Sequence, residues 1–299
     1  MFTILEQIFV LYAFLLLGWC FGRIKKDISD HTQVLSFLLV NLFLPAKVFG
    51  SFAKNFTTDY ITKNYTTIFI STALLLLLVG TAVPISKLLT KDPYERKVYR
   101  YSVPISNYGY MGYVLVEALY GEAALTNLIL FVIPFTTYTY SFGYMLLTES
   151  GSFKKLLNPI TYALLLGAVI GLVQLPIPAP VETVISSSSA CVGPISMLLT
   201  GITLSQFKIG ELVANKTAYI VCALRLIILP LAVFGLFSAL KLYSVLPYAT
   251  IIATMPCGLN PIVFPKLVGK DCKTGARLAF LSHLFSCITL PIWLSILKF

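Results

Sequence analysis

The sequence predicts an all-α integral membrane protein of ten transmembrane helices, arranged as two inverted five-helix repeats with the fourth and ninth helices interrupted. Three observations predict it. Of the 299 residues, 58% are hydrophobic and 11% charged, which leaves too little polar surface to cover a soluble globule. Ten apolar runs follow one another, each of roughly 20 residues, the length that spans about 30 Å of hydrocarbon. Several stretches of the first half also recur in the second at almost one offset.

The first run, 3–22, is long enough to span and is followed by Arg23, Lys25 and Lys26 without a small-residue cleavage site. It therefore reads as a membrane helix and not as a cleaved signal. The second and third runs occupy 31–52 and 65–89. The fourth, 98–120, contains VPISNYGYMGY (103–113) where a spanning helix would ordinarily carry leucines, and the fifth is 123–147. The remaining five lie at 158–175, 181–204, 215–240, 245–267 and 274–297. Short loops leave no room for a soluble domain.

The formal charge of +10 is distributed by topology. The odd-numbered loops hold 16 of the 22 Lys and Arg residues, the even-numbered loops and the C-terminal end hold Lys47, Lys54, Lys63, Lys241 and Lys298, and Arg225 lies deep in a span. By the positive-inside rule both termini face out of the plasma membrane. One basic face, populated loop by loop, argues against a nucleic-acid partner. The six cysteines form no CxxC pair, and His31 and His283 are isolated from any ligand cluster. No cofactor and no metal is expected.

The internal repeat fixes the architecture. FLLLGWCFG (14–22) aligns with LLLGAVIG (164–171), placing Gly18 on Gly167 and Gly22 on Gly171, 149 residues apart, and the same offset carries Pro45 onto Pro194. Gly121 answers Gly269 at 148. The boundaries are 1–150 for the first repeat and 151–299 for the second. Five spans is an odd number, so the second copy enters the membrane from the opposite side, a construction used by secondary transporters.

VPISNYGYMGY has its counterpart in MPCGLNPIVFP (255–265) of the ninth span. Each places Pro, Gly and Asn near mid-membrane: Pro104, Asn107 and Gly109 in one, Pro256, Gly258 and Asn260 in the other. Proline removes a backbone donor and glycine lowers the cost of unwinding. Unwound backbone is tolerated at that depth when protein or a watery cavity satisfies it. Helix N-termini just after such breaks present free N–H groups suited to a carboxylate. The bland alternative is a pair of proline kinks filled by neighbouring side chains.

With VNLFLPAKVF (40–49), SNYGYMGYVLVEALYG (106–121), VGPISMLLTGITL (192–204) and TMPCGLNPIVF (254–264), the chain resembles the auxin efflux carrier family, related to the PIN-type auxin carriers, over nearly its whole length. The resemblance implies that the fourth and ninth helices cross at their breaks. It also implies a homodimer, and a scaffold of helices 1, 2, 6 and 7 supporting a moving unit of helices 3–5 and 8–10. Carried over by position, Asn107 and Pro104 match the first crossover, and Pro256 and Asn260 the second, with the extra prolines Pro261 and Pro265 departing from the pattern. Asn107 and Asn260 are expected to hydrogen-bond substrate, because their amides donate to a carboxylate without adding a buried charge. Asn41 and Ser186–Ser189 are expected on the scaffold side of the cavity, the serines serving either substrate or close helix packing.

A charge in mid-span needs a partner or an aqueous path. Arg225 either attracts the substrate anion, couples to the moving unit, pairs with Glu117, or caps carbonyls exposed at a break. Glu117 is either a proton carrier or a solvated interfacial carboxylate. The function expected is a secondary carrier or uniporter of a small organic anion, malate-like or auxin-like, working by alternating access. The alternatives are a sodium-coupled organic-anion symporter of the bile-acid transporter type and a passive channel. The spans carry no nucleophile with its base and no metal cluster, so an enzyme is not expected.

Overall fold

The computed structural model describes residues 2–25, 28, 32–149 and 157–297. His31 and the basic residues Lys26, Lys154, Lys155 and Lys298 lie outside the described residues. Among those described, all regular structure is helical: α1 (Phe2–Ile24), α2 (Thr32–Asn55), α3 (Thr58–Asn64), α4 (Thr66–Leu89), α5 (Pro93–Ser102), α6 (Tyr108–Thr148), α7 (Pro159–Val173), α8 (Ala179–Ser205), α9 (Ile209–Val213), α10 (Lys216–Ala239), α11 (Leu246–Thr254), α12 (Asn260–Leu267) and α13 (Lys273–Ile296). Side-chain caps start several of them. Thr57, Asp92, Asn158 and Asn215 each accept a backbone N–H from the first turn of α3, α5, α7 and α10, satisfying donors that lack an intrahelical partner.

Seven of these helices, α1, α2, α4, α6, α8, α10 and α13, are long and apolar enough to cross a membrane. The ten apolar runs map onto fewer long helices for local reasons. The 41-residue α6 holds the end of the fourth run and all of the fifth, bent at Gly121, whose φ of +83° suits glycine. The ninth run is divided into α11 and α12, and the sixth forms the 15-residue α7. The fourth element also starts earlier than the apolar run, because α5 begins at Pro93 and buries Val98, Tyr99 and Tyr101 while carrying Arg96, Lys97 and Arg100.

Glycines set the closest helix contacts. A Cβ on Gly18 of α1 would lie 2.2 Å from the carbonyl oxygen of Leu198 in α8, and one on Gly167 of α7 would lie 2.8 Å from that of Phe49 in α2. These are equivalent contacts, since 18 and 167, like 49 and 198, are 149 apart. Gly22 against Ser205 and Gly171 against Phe56 repeat the relation. Gly121 and Gly269 also share a positive φ, +83° and +69°.

Polar contacts gather the connections into two groups. Arg23 donates to the Phe207 carbonyl, Tyr94 to that of Asp271, and Asn215 to Glu95, while Glu149 pairs with both Lys97 and Lys270. The second group joins Lys54 to Glu182 at 3.0 Å and to Glu122 at 3.7 Å. Every residue of the first group belongs to, or borders, an odd-numbered connection of the sequence reading, and every residue of the second an even-numbered one.

Candidate functional site

Two helix interruptions meet in the protein interior. The first separates α5 from α6 at residues 103–107 and the second separates α11 from α12 at 255–259. Pro104 and Pro256 are both buried within them. The freed backbone groups find partners across the junction. The Asn107 N–H donates to the Pro256 carbonyl at 2.8 Å, the Ser106 hydroxyl to the Ile252 carbonyl at 2.7 Å, and the Cys257 N–H to Ser282 Oγ at 2.9 Å. Gly258 packs beside the first break, its Cβ position lying 3.6 Å from the Ser106 carbonyl oxygen, an ordinary van der Waals distance.

A cavity of about 60 Å³ opens at this junction, lined by Ser106, Asn107 and Gly109 from one break and Gly258 and Asn260 from the other. Tyr108–Tyr110 at the start of α6 and Asn260 at the start of α12 line it, and a helix N-terminus carries a positive partial charge. No charged side chain lines it among the described residues. Tyr113, Thr136, Tyr140 and Ile160 are shared with an adjoining cavity of about 250 Å³ walled by Val48, Ile129, Ile133 and Leu164. The smaller cavity holds the two asparagine side chains among apolar and aromatic walls, and the larger one beside it is more apolar still.

Asn107 is buried, and its Nδ2 lies 3.2 Å from Nε2 of His283 on α13. The other ring nitrogen, Nδ1, sits 2.7 Å from the Ala279 carbonyl. Asn260 is half-buried and donates to the Tyr101 hydroxyl at 2.7 Å. His283, isolated in the sequence, is thus a direct partner of the first crossover asparagine. Nothing in its surrounding sequence signals this, because its partner lies 176 residues away.

Arg225 sits in a π-helical turn of α10, Leu224–Ile228, next to Pro230. Proline cannot bond the carbonyl four residues earlier, and that group, Leu226 O, accepts Trp293 Nε1 at 3.1 Å instead. Arg225 is 1% exposed and donates to the carbonyls of Val103, Ile252 and Met255. It caps the C-terminal ends of α5 and α11, where helix carbonyls lack intrahelical donors. Each end carries about half a negative charge, so the two together balance one guanidinium. The ion pair with Glu117 does not form, and Arg225 does not line the cavity.

Glu117 pairs instead with Lys47. Lys47, grouped above with the outer loops, is 3% exposed inside α2. The two residues belong to a separate cavity of about 230 Å³ that also includes Lys54, Glu122, Glu182, Ser186 and Ser189. The serines therefore border this charged chamber. Asn41 lines neither cavity: it lies in the π-helical turn Leu39–Phe43, and its exposed amide donates to the Phe37 carbonyl of the preceding turn at 2.8 Å.

Comparison with known sequences is consistent with this architecture. The profile of the family described as Membrane transport protein matches residues 3–155 and 144–294. An uncharacterized transporter of Methanothermobacter thermautotrophicus is 27% identical over 194 residues, covering 62% of this chain and 63% of that protein's length. The uncharacterized transporter YfdV of Escherichia coli K12 is 23% identical over 297 residues, covering 94% of this chain and 93% of its own.

Proposed function

Because the chain belongs to the membrane transport protein family of auxin efflux carriers, we propose that it is a secondary carrier of a small organic anion, with its binding site at the paired helix breaks. The observation that carries this reading is the cavity in which Asn107 and Asn260 face one space from two separate interruptions. Two asparagine amides and two helix N-termini can donate to a carboxylate while the site itself stays uncharged. The adjoining, more apolar cavity favours a substrate with an apolar body behind its carboxylate.

Alternating access follows from duplication. The equivalent glycine contacts of α1 with α8 and α7 with α2 support a pseudo-twofold relation between residues 1–150 and 151–299. On this reading α5 with the first arm of α6 is the fourth crossing, the second arm of α6 the fifth, α7 the sixth, and α11 with α12 the ninth. The grouping of odd-numbered connections supports ten crossings, with the basic face cytoplasmic and both termini outside the plasma membrane. Helices α1, α2, α7 and α8 form the scaffold, against which the two broken helices and their neighbours move. A homodimer is part of the same reading.

Thermal-shift measurement of the purified protein against carboxylates, indole acids and neutral metabolites tests it, beside the Asn107→Ala variant. A carboxylate that raises Tm in the wild type alone is expected. Equal stabilisation of both proteins would overturn the site, and stabilisation by neutral compounds alone would overturn the anion reading. An ohmic, unsaturable current in proteoliposomes would make the protein a channel.

A further inference from the structure

We propose that His283 is a proton site that switches the Asn107 amide between two hydrogen-bonding orientations, so that one proton is bound and carried with each anion. This inference rests on the anion reading above and gives it an energy source.

The geometry assigns the protons. The Ala279 carbonyl can only accept, so His283 Nδ1, 2.7 Å away, carries a hydrogen and donates. In the neutral ring Nε2 is then an acceptor, and the Asn107 group facing it at 3.2 Å is the NH₂ end. Asn107 also lines the cavity. With its nitrogen committed to the imidazole, the amide turns its oxygen, a poor partner for a carboxylate, away from the ring.

A proton added at Nε2 makes both ring nitrogens donors. The NH₂ end of Asn107 then meets an N–H, two donors face to face, and a half-turn about the amide bond to Cβ relieves the clash. Oδ1 now accepts from Nε2–H, and both amide hydrogens are released toward the cavity with an imidazolium behind them. The same proton thus supplies donors and positive charge to the anion, and a bound anion in turn holds the proton on His283, as linkage requires.

The surroundings leave the switch to His283. From α1, Tyr12 donates to the His283 carbonyl at 2.9 Å and shares a 2.5 Å hydrogen bond with Ser286. From the second break, Cys257 binds Ser282 through its backbone, and on α13 itself Cys287 contacts the His283 carbonyl at 3.6 Å. Arg225 of α10 is spent on carbonyls of Val103, Ile252 and Met255. Glu95 of α5 lies 3.9 Å from Arg277, and Glu211 of α9 accepts from Arg277 through its carbonyl, both near the start of α13. Among the described residues no carboxylate bonds His283. For a monocarboxylate, one anion with one proton moves no net charge, so uptake would follow the pH gradient and ignore membrane potential.

The test uses the full-length protein with malate and indole-3-acetate as probes, titrated calorimetrically from pH 6 to 8 in two buffers of different ionisation enthalpy. Wild type should bind its carboxylate up to tenfold more tightly for each unit of falling pH and take up one proton. His283→Gln should still bind, with the pH slope flattened and no proton uptake. A pH-independent wild type, or an unchanged slope in His283→Gln, overturns the switch. ¹⁵N-histidine spectra give a readout without ligand, the chain having two histidines: Nδ1–H is expected for His283 at pH 8, and an Nε2–H tautomer overturns the switch. If the tautomer is as assigned but neither carboxylate binds at any pH, the anion reading falls instead.

Discussion

The carboxamide nitrogen of Asn107 lies 3.2 Å from Nε2 of His283, joining two buried side chains 176 residues apart. Asn107→Ala removes this bond and leaves a buried ring nitrogen without a partner, a loss of about 1–3 kcal/mol. The break itself should persist, because the bond to Pro256 is made by the backbone. The expected outcome is a modest fall in Tm together with loss of carboxylate-induced stabilisation, both read from the same melting curves.

Arg225 holds two helix ends with one side chain. Arg225→Ala leaves several buried carbonyls without donors and should lower stability by about 3 kcal/mol or more, since each bond to a charged group contributes about 1.5–3 kcal/mol. Arg225→Lys should rescue little, because a single ammonium cannot reproduce the planar fork. Full recovery of Tm and transport by the lysine variant would show that the fork geometry is dispensable.

Glycines at two kinds of site should separate folding from binding. A Cβ on Gly201 would fall 2.0 Å from the Leu15 carbonyl oxygen, so Gly201→Ala must push α8 from α1 at a cost of about 1–3 kcal/mol or more. A Cβ on Gly109 meets nothing within 4 Å, and the residue lines the cavity. Gly109→Ala should melt like the wild type and bind carboxylate more weakly, as a thermal-shift titration would read.

Lys47 and Glu117 form an ion pair in which the lysine is almost wholly buried and the glutamate 37% exposed. Removing one partner should cost about 3 kcal/mol, toward the lower end for a buried pair because Glu117 retains solvent. Lys47→Met combined with Glu117→Gln should recover much of the loss seen in Glu117→Gln alone. Additive losses across this double-mutant cycle would show that the pair is not energetically coupled.

Glu149 lies just beyond the end of α6, and its hydrogen bonds to Lys270 and then Lys97 hold its carboxyl down to about 2 from an ordinary 4.5. A depressed folded-state value contributes stability that is fully present above pH 4.5 and is lost as the pH falls toward 2. The Tm difference between wild type and Glu149→Gln should therefore be constant from pH 7 to 5 and shrink below 4.5. Its size should be small and salt-sensitive, as expected for a screened surface bridge.

Composition and local pattern by themselves determined the membrane setting, the positions of the apolar runs and the two interruptions, because these depend on properties summed over neighbouring residues. The glycine and proline offsets point to a duplication, and Gly121 and Gly269, which they align, share a positive φ. Tertiary structure alone decided the partners. Arg225 was open to four roles in the sequence, and the meeting of α5, α10 and α11 gives it three carbonyls. Lys47 turned inward to Glu117, Asn41 fell outside the cavity, and a solitary His283 became the neighbour of Asn107. The physical reason is one of range: hydrophobicity and backbone propensity act within a turn or a span, whereas a buried polar group is satisfied by whichever helix packing brings alongside it.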